Sequence, residues 1–263
     1  MQAPTREDTM QMLNKVPEVT LYFWIIKIMA TTVGETAADF LNFNLNFGLT
    51  GTSIVMSVLL AVFLVVQLRA RKYVPWMYWL AVVLISVVGT LITDNLVDNF
   101  GIALETTTIA FGLALLATFA VWYASEKTLS IHTIFTTKRE LFYWAAILFT
   151  FALGTATGDL AAEGINLGYA NSTLMFGALI SIVTFAYYGF KANAILAFWI
   201  AYILTRPLGA SFGDYLSQSV NDGGLGLGTV ATSAIFLSTI AGLVIYLSVT
   251  RRDVLGQPAD QTI

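Results

Sequence analysis

Five carboxylates, Glu35, Asp39, Asp94, Asp159 and Asp214, stand inside long apolar stretches, and four of them are regularly placed. Each Asp closes one signature: Phe or Tyr, Trp, nine residues, Gly, four residues, Asp. It reads Phe23-Trp24…Gly34…Asp39, Tyr78-Trp79…Gly89…Asp94, Tyr143-Trp144…Gly154…Asp159 and Phe198-Trp199…Gly209…Asp214. The chain has only 6 Trp, so four in fixed register with a Gly and an Asp mark an internal repeat. Carboxylates and hydroxyls are hard oxygen donors of the kind that hold Mg²⁺, Mn²⁺ or Ca²⁺. These five acids are therefore candidate ligands for a cation.

Helical geometry says how such acids are presented. At 3.6 residues per turn, positions seven, eleven and fifteen after the Trp fall within about 80° of one another. That stripe is Thr31, Glu35, Asp39 in the first repeat, with Lys27 one turn earlier. It is Ser86, Thr90, Asp94 in the second, Phe151, Thr155, Asp159 in the third and Arg206, Ala210, Asp214 in the fourth. Polar groups on one stripe of an apolar helix must face protein or water, because lipid cannot satisfy them. A translocation path or binding site along that stripe is the expectation.

The elements that carry the stripe follow from composition. Apolar residues make up 57% and charged residues 11%, and the mean hydropathy is +0.76, which places the chain among integral membrane proteins. Stretches of about 20 apolar residues, enough to cross a hydrocarbon layer, fall near 19–41, 50–68, 75–97, 105–124, 140–162, 170–190, 192–217 and 228–249. Each repeat is then a two-helix hairpin with its signature on the first helix, and the polar N-terminal stretch does not read as a cleavable leader. The expected fold is an all-α membrane protein with eight transmembrane helices, arranged as four parallel two-helix repeats around a central axis. The divisions are an N-terminal tail 1–17, repeats 18–73, 74–137, 138–191 and 192–250, and a C-terminal tail 251–263.

Of the 13 Lys and Arg, all but Lys27 and Arg206 lie in the tails or in the 69–72, 125–139 and 191 links. The positive-inside rule makes that side, with both termini, cytoplasmic, and in a bacterium the membrane is the inner one. The opposite loops carry Asp98, Glu105, Glu163 and Asp222 and no basic residue, which describes a cation-attracting vestibule. The glycines Gly34, Gly89, Gly154 and Gly209 begin small-xxx-small pairs, which let helix backbones approach closely. Trp24, Trp79, Trp144 and Trp199 fall near the cytoplasmic boundary, as interface anchors or as a gate. Glu35 lies about 16 Å from the level of Trp24, close to the midplane. Lys27 and Arg206 are the cations available to balance it, Arg206 if the first and fourth repeats adjoin in a ring.

Several classes of function are disfavoured. With 0 Cys and 1 His, in a link, thiolate or histidine-rich metal sites and haem ligation lack ligands. No Walker-type nucleotide loop occurs, no nucleophile–base pair stands out, and nothing points to nucleic acid. The chain is expected not to be an enzyme and to hold no resident cofactor. Gly224-Leu-Gly-Leu-Gly228 has no counterpart in the other repeats, so it reads as a loop rather than a channel filter.

The four-fold Trp repeat, with Lys15-Val-Pro-Glu-Val-Thr20 and Thr31-Thr-Val-Gly-Glu35, resembles a bacterial membrane-protein family of four tandem repeats of unknown function. Each repeat there has two transmembrane helices and a hallmark tryptophan. The resemblance implies the eight-helix architecture over about residues 15–250 and supplies no activity. From the residues, the expected function is transport of a small cation, a divalent metal ion or a proton-coupled substrate, with Glu35 as the central acid. The alternatives are a pseudo-tetrameric ion channel and a non-transporting membrane scaffold. The partners expected are the lipid bilayer and the cation, with oligomeric state open.

Overall fold

The computed structural model describes residues 14–44 and 48–254, and the remainder of both expected tails lies outside them. Among the described residues the chain forms eight long helices and no strand: α1 (Leu21–Asp39), α2 (Gly48–Arg69), α3 (Pro75–Asp94), α4 (Leu104–Glu126), α5 (Thr137–Asp159), α6 (Tyr169–Phe190), α7 (Ala194–Ser217) and α8 (Gly228–Thr250). All but α1 are long and apolar enough to cross a membrane. The exception is the helix that carries Lys27, Glu35 and Asp39. The large apolar side chains left exposed on the even-numbered helices, such as Leu116 and Ile182, would be costly in water and fit a multi-pass membrane protein.

Local sequence starts each signature helix. Thr20 and Thr136 cap α1 and α5 by accepting from the amides of Phe23 and Arg139, and Asn193 caps α7 by accepting from Leu196. On α3, Pro75 occupies the first turn, where no amide is needed. The outer helices α4, α6 and α8 end alike, on Lys127, Lys191 and Arg251 in the left-handed conformation. A cation there also complements the carbonyl end of the helix. Directly after the repeat Asp, α1, α3 and α5 widen into π-helical turns, Phe40–Asn44, Asn95–Asn99 and Leu160–Gly164, whereas α7 does not.

The four signature helices form a closed ring in the order α1, α3, α5, α7 and back to α1. They run in the same direction, because aromatic residues of their first turns touch one another while the four repeat Asp residues share a cavity at the far end. The expected two-helix hairpins are not what packs. Each second helix lies on the first helix of the next repeat: α2 on α3, α4 on α5, α6 on α7, and α8 on α1 to close the circle. Within the first and third repeats the second helix meets its own partner chiefly at the π turn, which carries the chain sideways before that helix begins.

The repeat glycines explain the ring. A Cβ on Gly34 would sit 1.8 Å from Ser86 Oγ, on Gly89 2.7 Å from Phe151 Cβ, on Gly154 2.3 Å from Arg206 Cγ and on Gly209 1.7 Å from Thr31 Oγ1. Every glycine thus receives the residue seven after the Trp of the next repeat. Hydroxyls stitch the same seams: Thr32 Oγ1 donates to Gly209 O at 3.2 Å, and Thr93 Oγ1 to Ala152 O at 3.0 Å.

The tryptophans depart from the interface-anchor reading. Trp79, Trp144 and Trp199 are buried; Trp199 packs on Phe119 and Trp122 of the outer helix α4, and its Nε1 donates to Leu129 O at 2.9 Å. Of these four only Trp24 is part-exposed, and it lines an apolar cavity of about 520 Å³ walled by α1, α6 and α7, away from the acids of the axis. The residue before each Trp closes the axis instead. Phe23, Tyr78 and Tyr143 are buried, Tyr78 and Tyr143 join hydroxyls at 2.5 Å, and Phe23 packs on Phe198 and Tyr202.

Beyond this aromatic layer a strap crosses the ring. Residues 14–20 precede α1, yet Lys15 Nζ pairs with Glu140 Oε2 at 2.6 Å on α5, the diagonally opposite helix, and donates to Leu68 O at 3.0 Å. Lys15 N donates to Ile134 O, and Glu18 N to Asp253 O, both at 3.0 Å. Tyr73 Oη donates to the Asp253 carboxylate at 2.6 Å, and burial holds that carboxyl above the usual range. Gly209→Ala is expected to cost about 1–3 kcal/mol by overpacking the α1–α7 seam. Gly242→Ala on α8, with nothing within 4 Å of the new methyl, should stabilise by about 0.5–1 kcal/mol. Unfolding titrations of the two variants in detergent check the contrast.

Candidate functional site: an acid-lined axis with a buried arginine

The expected stripe lines the axis. At the level seven after the Trp, Thr31, Ser86, Phe151 and Arg206 are fully buried. One turn on are Glu35, Thr90, Thr155 and Ala210, and one turn further the four repeat Asp residues. Arg206 extends from the first of these levels into the second. Its Nη2 donates to Glu35 Oε2 at 3.0 Å and to Thr155 Oγ1 at 2.7 Å, and also hydrogen-bonds Thr90 Oγ1. Nη1 donates to Thr31 O at 3.4 Å, and Thr90 Oγ1 donates to Glu35 Oε2 at 3.4 Å. One guanidinium therefore ties together all three other signature helices. The fork of a planar, permanently charged guanidinium suits this role better than an ammonium would.

Lys27 does not share that work. Its Nζ is fully buried with no hydrogen-bond partner. It lies instead over the Phe151 ring at 4.3 Å and the Tyr202 ring at 4.2 Å, where ring faces attract a cation. The expected pairing of Glu35 is thus made by Arg206 alone. The reason is reach: Lys27 is two turns from Glu35 on the same helix, and Arg206 enters from the adjoining α7 at the right height.

Past Arg206 the axis opens into a cavity of about 110 Å³. Its walls carry Glu35 and all four repeat Asp residues, joined by Asp98, Glu163, Asn42 and Gln218. Carboxylate oxygens of Glu35, Asp159 and Asp214 lie within 4.8 Å of one another, a separation that one divalent cation bridging them would span. Of the loop acids named from sequence, Asp98 and Glu163 reach this cavity, whereas Glu105 and Asp222 do not line it. Asp98, Glu163 and Gln218 all stand nineteen residues after their Trp. Carrying the four-residue stride of the stripe one step past the Asp would have found them.

Removing Arg206 strands Glu35 in a desolvated site. Arg206→Ala is expected to destabilise the protein by about 3–5 kcal/mol, while a matched Arg206→Met, Glu35→Leu pair recovers most of the loss. Denaturant titration of the single and double variants in detergent measures both values.

No curated protein and no solved structure matches the chain. A family described as Repeat of Unknown Function (DUF347) matches it four times in tandem, at residues 22–73, 77–128, 142–193 and 197–253. Each matched segment opens within two residues of a signature Trp, holds one inner helix and the outer helix that follows, and together they cover most of the chain. The chain is a member of the DUF347 repeat family, with four copies of the repeat closed into one ring.

Proposed function

We propose that this protein is a transporter of a small cation, with a divalent metal ion as the best-fitting substrate. All eight helices span the bacterial inner membrane in this reading, α1 included, with the four repeats parallel and both termini cytoplasmic. The inner position of α1 supports its inclusion, since its charges face the axis and not lipid. The basic links at the strap end support the orientation.

The observation that carries the reading is the acid-lined cavity at one end of an axis that is closed at the other. Seven carboxylates converge there, three with oxygens close enough to share an ion. Arg206 occupies the floor as a fixed positive charge paired with Glu35, and the surrounding carboxylates must outweigh it for a cation to be held there. Below it lie the buried aromatic side chains of Phe23, Tyr78, Tyr143 and Tyr202 and, beyond them, the strap held by Lys15 and Glu140. A site reached from one side and sealed from the other favours a carrier that alternates access over an open channel. A scaffold would not need acids facing a cavity, where their mutual repulsion is a cost.

Mn²⁺ uptake into proteoliposomes tests the proposal. The wild type should show saturable, gradient-driven uptake. Asp159→Asn and Asp214→Asn should each raise the half-saturating Mn²⁺ concentration by about tenfold, the loss of roughly 1.4 kcal/mol of binding. Glu35→Gln should abolish uptake, and Glu105→Gln, outside the cavity, should leave it unchanged. A current without saturation would assign a channel, and no flux for any tested cation would leave a scaffold.

A further inference from the structure

We propose that Lys27 is the proton-exchange group of the axis. A divalent cation settling among Glu35, Asp159 and Asp214 drives a proton off the Lys27 amine, and return of that proton helps expel the cation. This deepens the transport reading and rests on it. The balance is simple: the site gains M²⁺, Lys27 passes from –NH₃⁺ to –NH₂, and one H⁺ leaves to water. No bond other than N–H breaks.

Elimination on geometry leads to Lys27. Arg206 cannot give up its proton. Glu35 is fastened by Arg206 and Thr90 and is a ligand for the arriving ion, so its charge is already engaged. The repeat Asp residues line the cavity as ligands in the same way. Of the two buried cations of the axis, Lys27 is the one that can change charge without breaking a hydrogen bond, because it makes none. Its surroundings tolerate either form: two ring faces attract the ammonium, and the apolar cage accepts the neutral amine.

The groups facing Lys27 set the sign. On α7 are Arg206 and Tyr202, on α5 Phe151 and the Tyr143 hydroxyl, on α3 Tyr78, and on α1 itself Glu35 two turns away. The outer helix α8 brings only Tyr246, which stacks on Tyr22 at the far end. Arg206 and Lys27 share the Phe151 ring, with Arg206 Cζ 5.5 Å from its centroid. Two cations thus crowd one ring, with a single buried carboxylate at that depth. When M²⁺ takes part of the Glu35 charge, repulsion on Lys27 rises and the ammonium is the species that yields. Three further buried polar atoms on this stretch, Ser86 Oγ, Tyr202 Oη and Arg206 Nε, also lack hydrogen-bond partners. Orphaned groups clustered like this are where water enters when a packed region loosens, which gives the proton its way out.

By linkage, cation binding must tighten with rising pH, and must do so more steeply with Lys27 than without it. Solubilised full-length protein is titrated with Mn²⁺ in weakly buffered solution carrying a pH indicator, alongside Kd measured at several pH values. Lys27→Met should bind Mn²⁺ yet release about one proton fewer per ion than the wild type, so its Kd should depend on pH by about tenfold less per unit. Lys27→Arg, permanently charged, should likewise release about one proton fewer per ion and bind more weakly. It serves as the second variant if Lys27→Met does not fold. Proton release unchanged in the folded variants overturns the role of Lys27 and leaves the carrier intact. Coupled binding without any flux in vesicles overturns the carrier and leaves the linkage intact. A wild type that binds no Mn²⁺ overturns both.

Discussion

The inner helices can approach one another only because ten residues after each Trp there is no side chain. All four seams are backbone against side chain at distances where a methyl group has no room, and the residue filling each vacancy comes from the next repeat in the circle. In lipid, where burying apolar surface gains little, close van der Waals packing of this kind is what holds helices together. Everything else hangs from it. The hydroxyl stitches across the seams need the approach, and the stripe meets at a common axis because every helix is turned by the same contact.

A ring made of four equal contacts still does chemistry unequally. The residue that fills the glycine notch is Thr, Ser, Phe or Arg according to the repeat. Where it is Arg206, the notch is filled by the methylene stem and the guanidinium is free to reach the next level. Glu35 replaces the Thr found there in the second and third repeats, so the one acid and the one guanidinium lie on adjoining helices. Phe151 in the third repeat gives Lys27 and Arg206 a shared ring. Symmetry sets the distances, and Glu35, Arg206 and Lys27 depart from it to supply the charge.

Much of this was legible in the sequence because the signature lies on helices whose every face is constrained. The repeat, the inward stripe, the tight glycines and the Glu35–Arg206 pairing follow from period and spacing. The packing of the second helices was not legible. Those helices are apolar around their whole circumference, so no stripe says which groove they fill, and chain neighbours looked like the natural partners. Burial of the tryptophans was hidden for a related reason: an indole near a helix end satisfies an interface and an interior equally well until the outer helix is placed over it. Of the two cations available to Glu35, the place of Lys27 was not legible, because its cage comes from Phe151 and Tyr202, aromatic residues of two other repeats that carry no charge to announce them.

The Glu35–Arg206 pair joins residues 171 apart in the chain, and this separation has a consequence for how the protein is made. Of the eight helices α1 leaves the ribosome first, and it alone falls short of the length and apolarity that crossing a membrane takes. At ordinary synthesis rates its acid waits roughly ten to thirty seconds for α7 to emerge. Lys15 likewise precedes Glu140 by 125 residues, and α1 is not covered until α8, the last helix, packs against it. The opening helix must therefore be held at the membrane or in the insertion machinery with its charges unmet until the closing repeat arrives. Truncated chains, whatever their length in complete repeats, end with that helix still waiting.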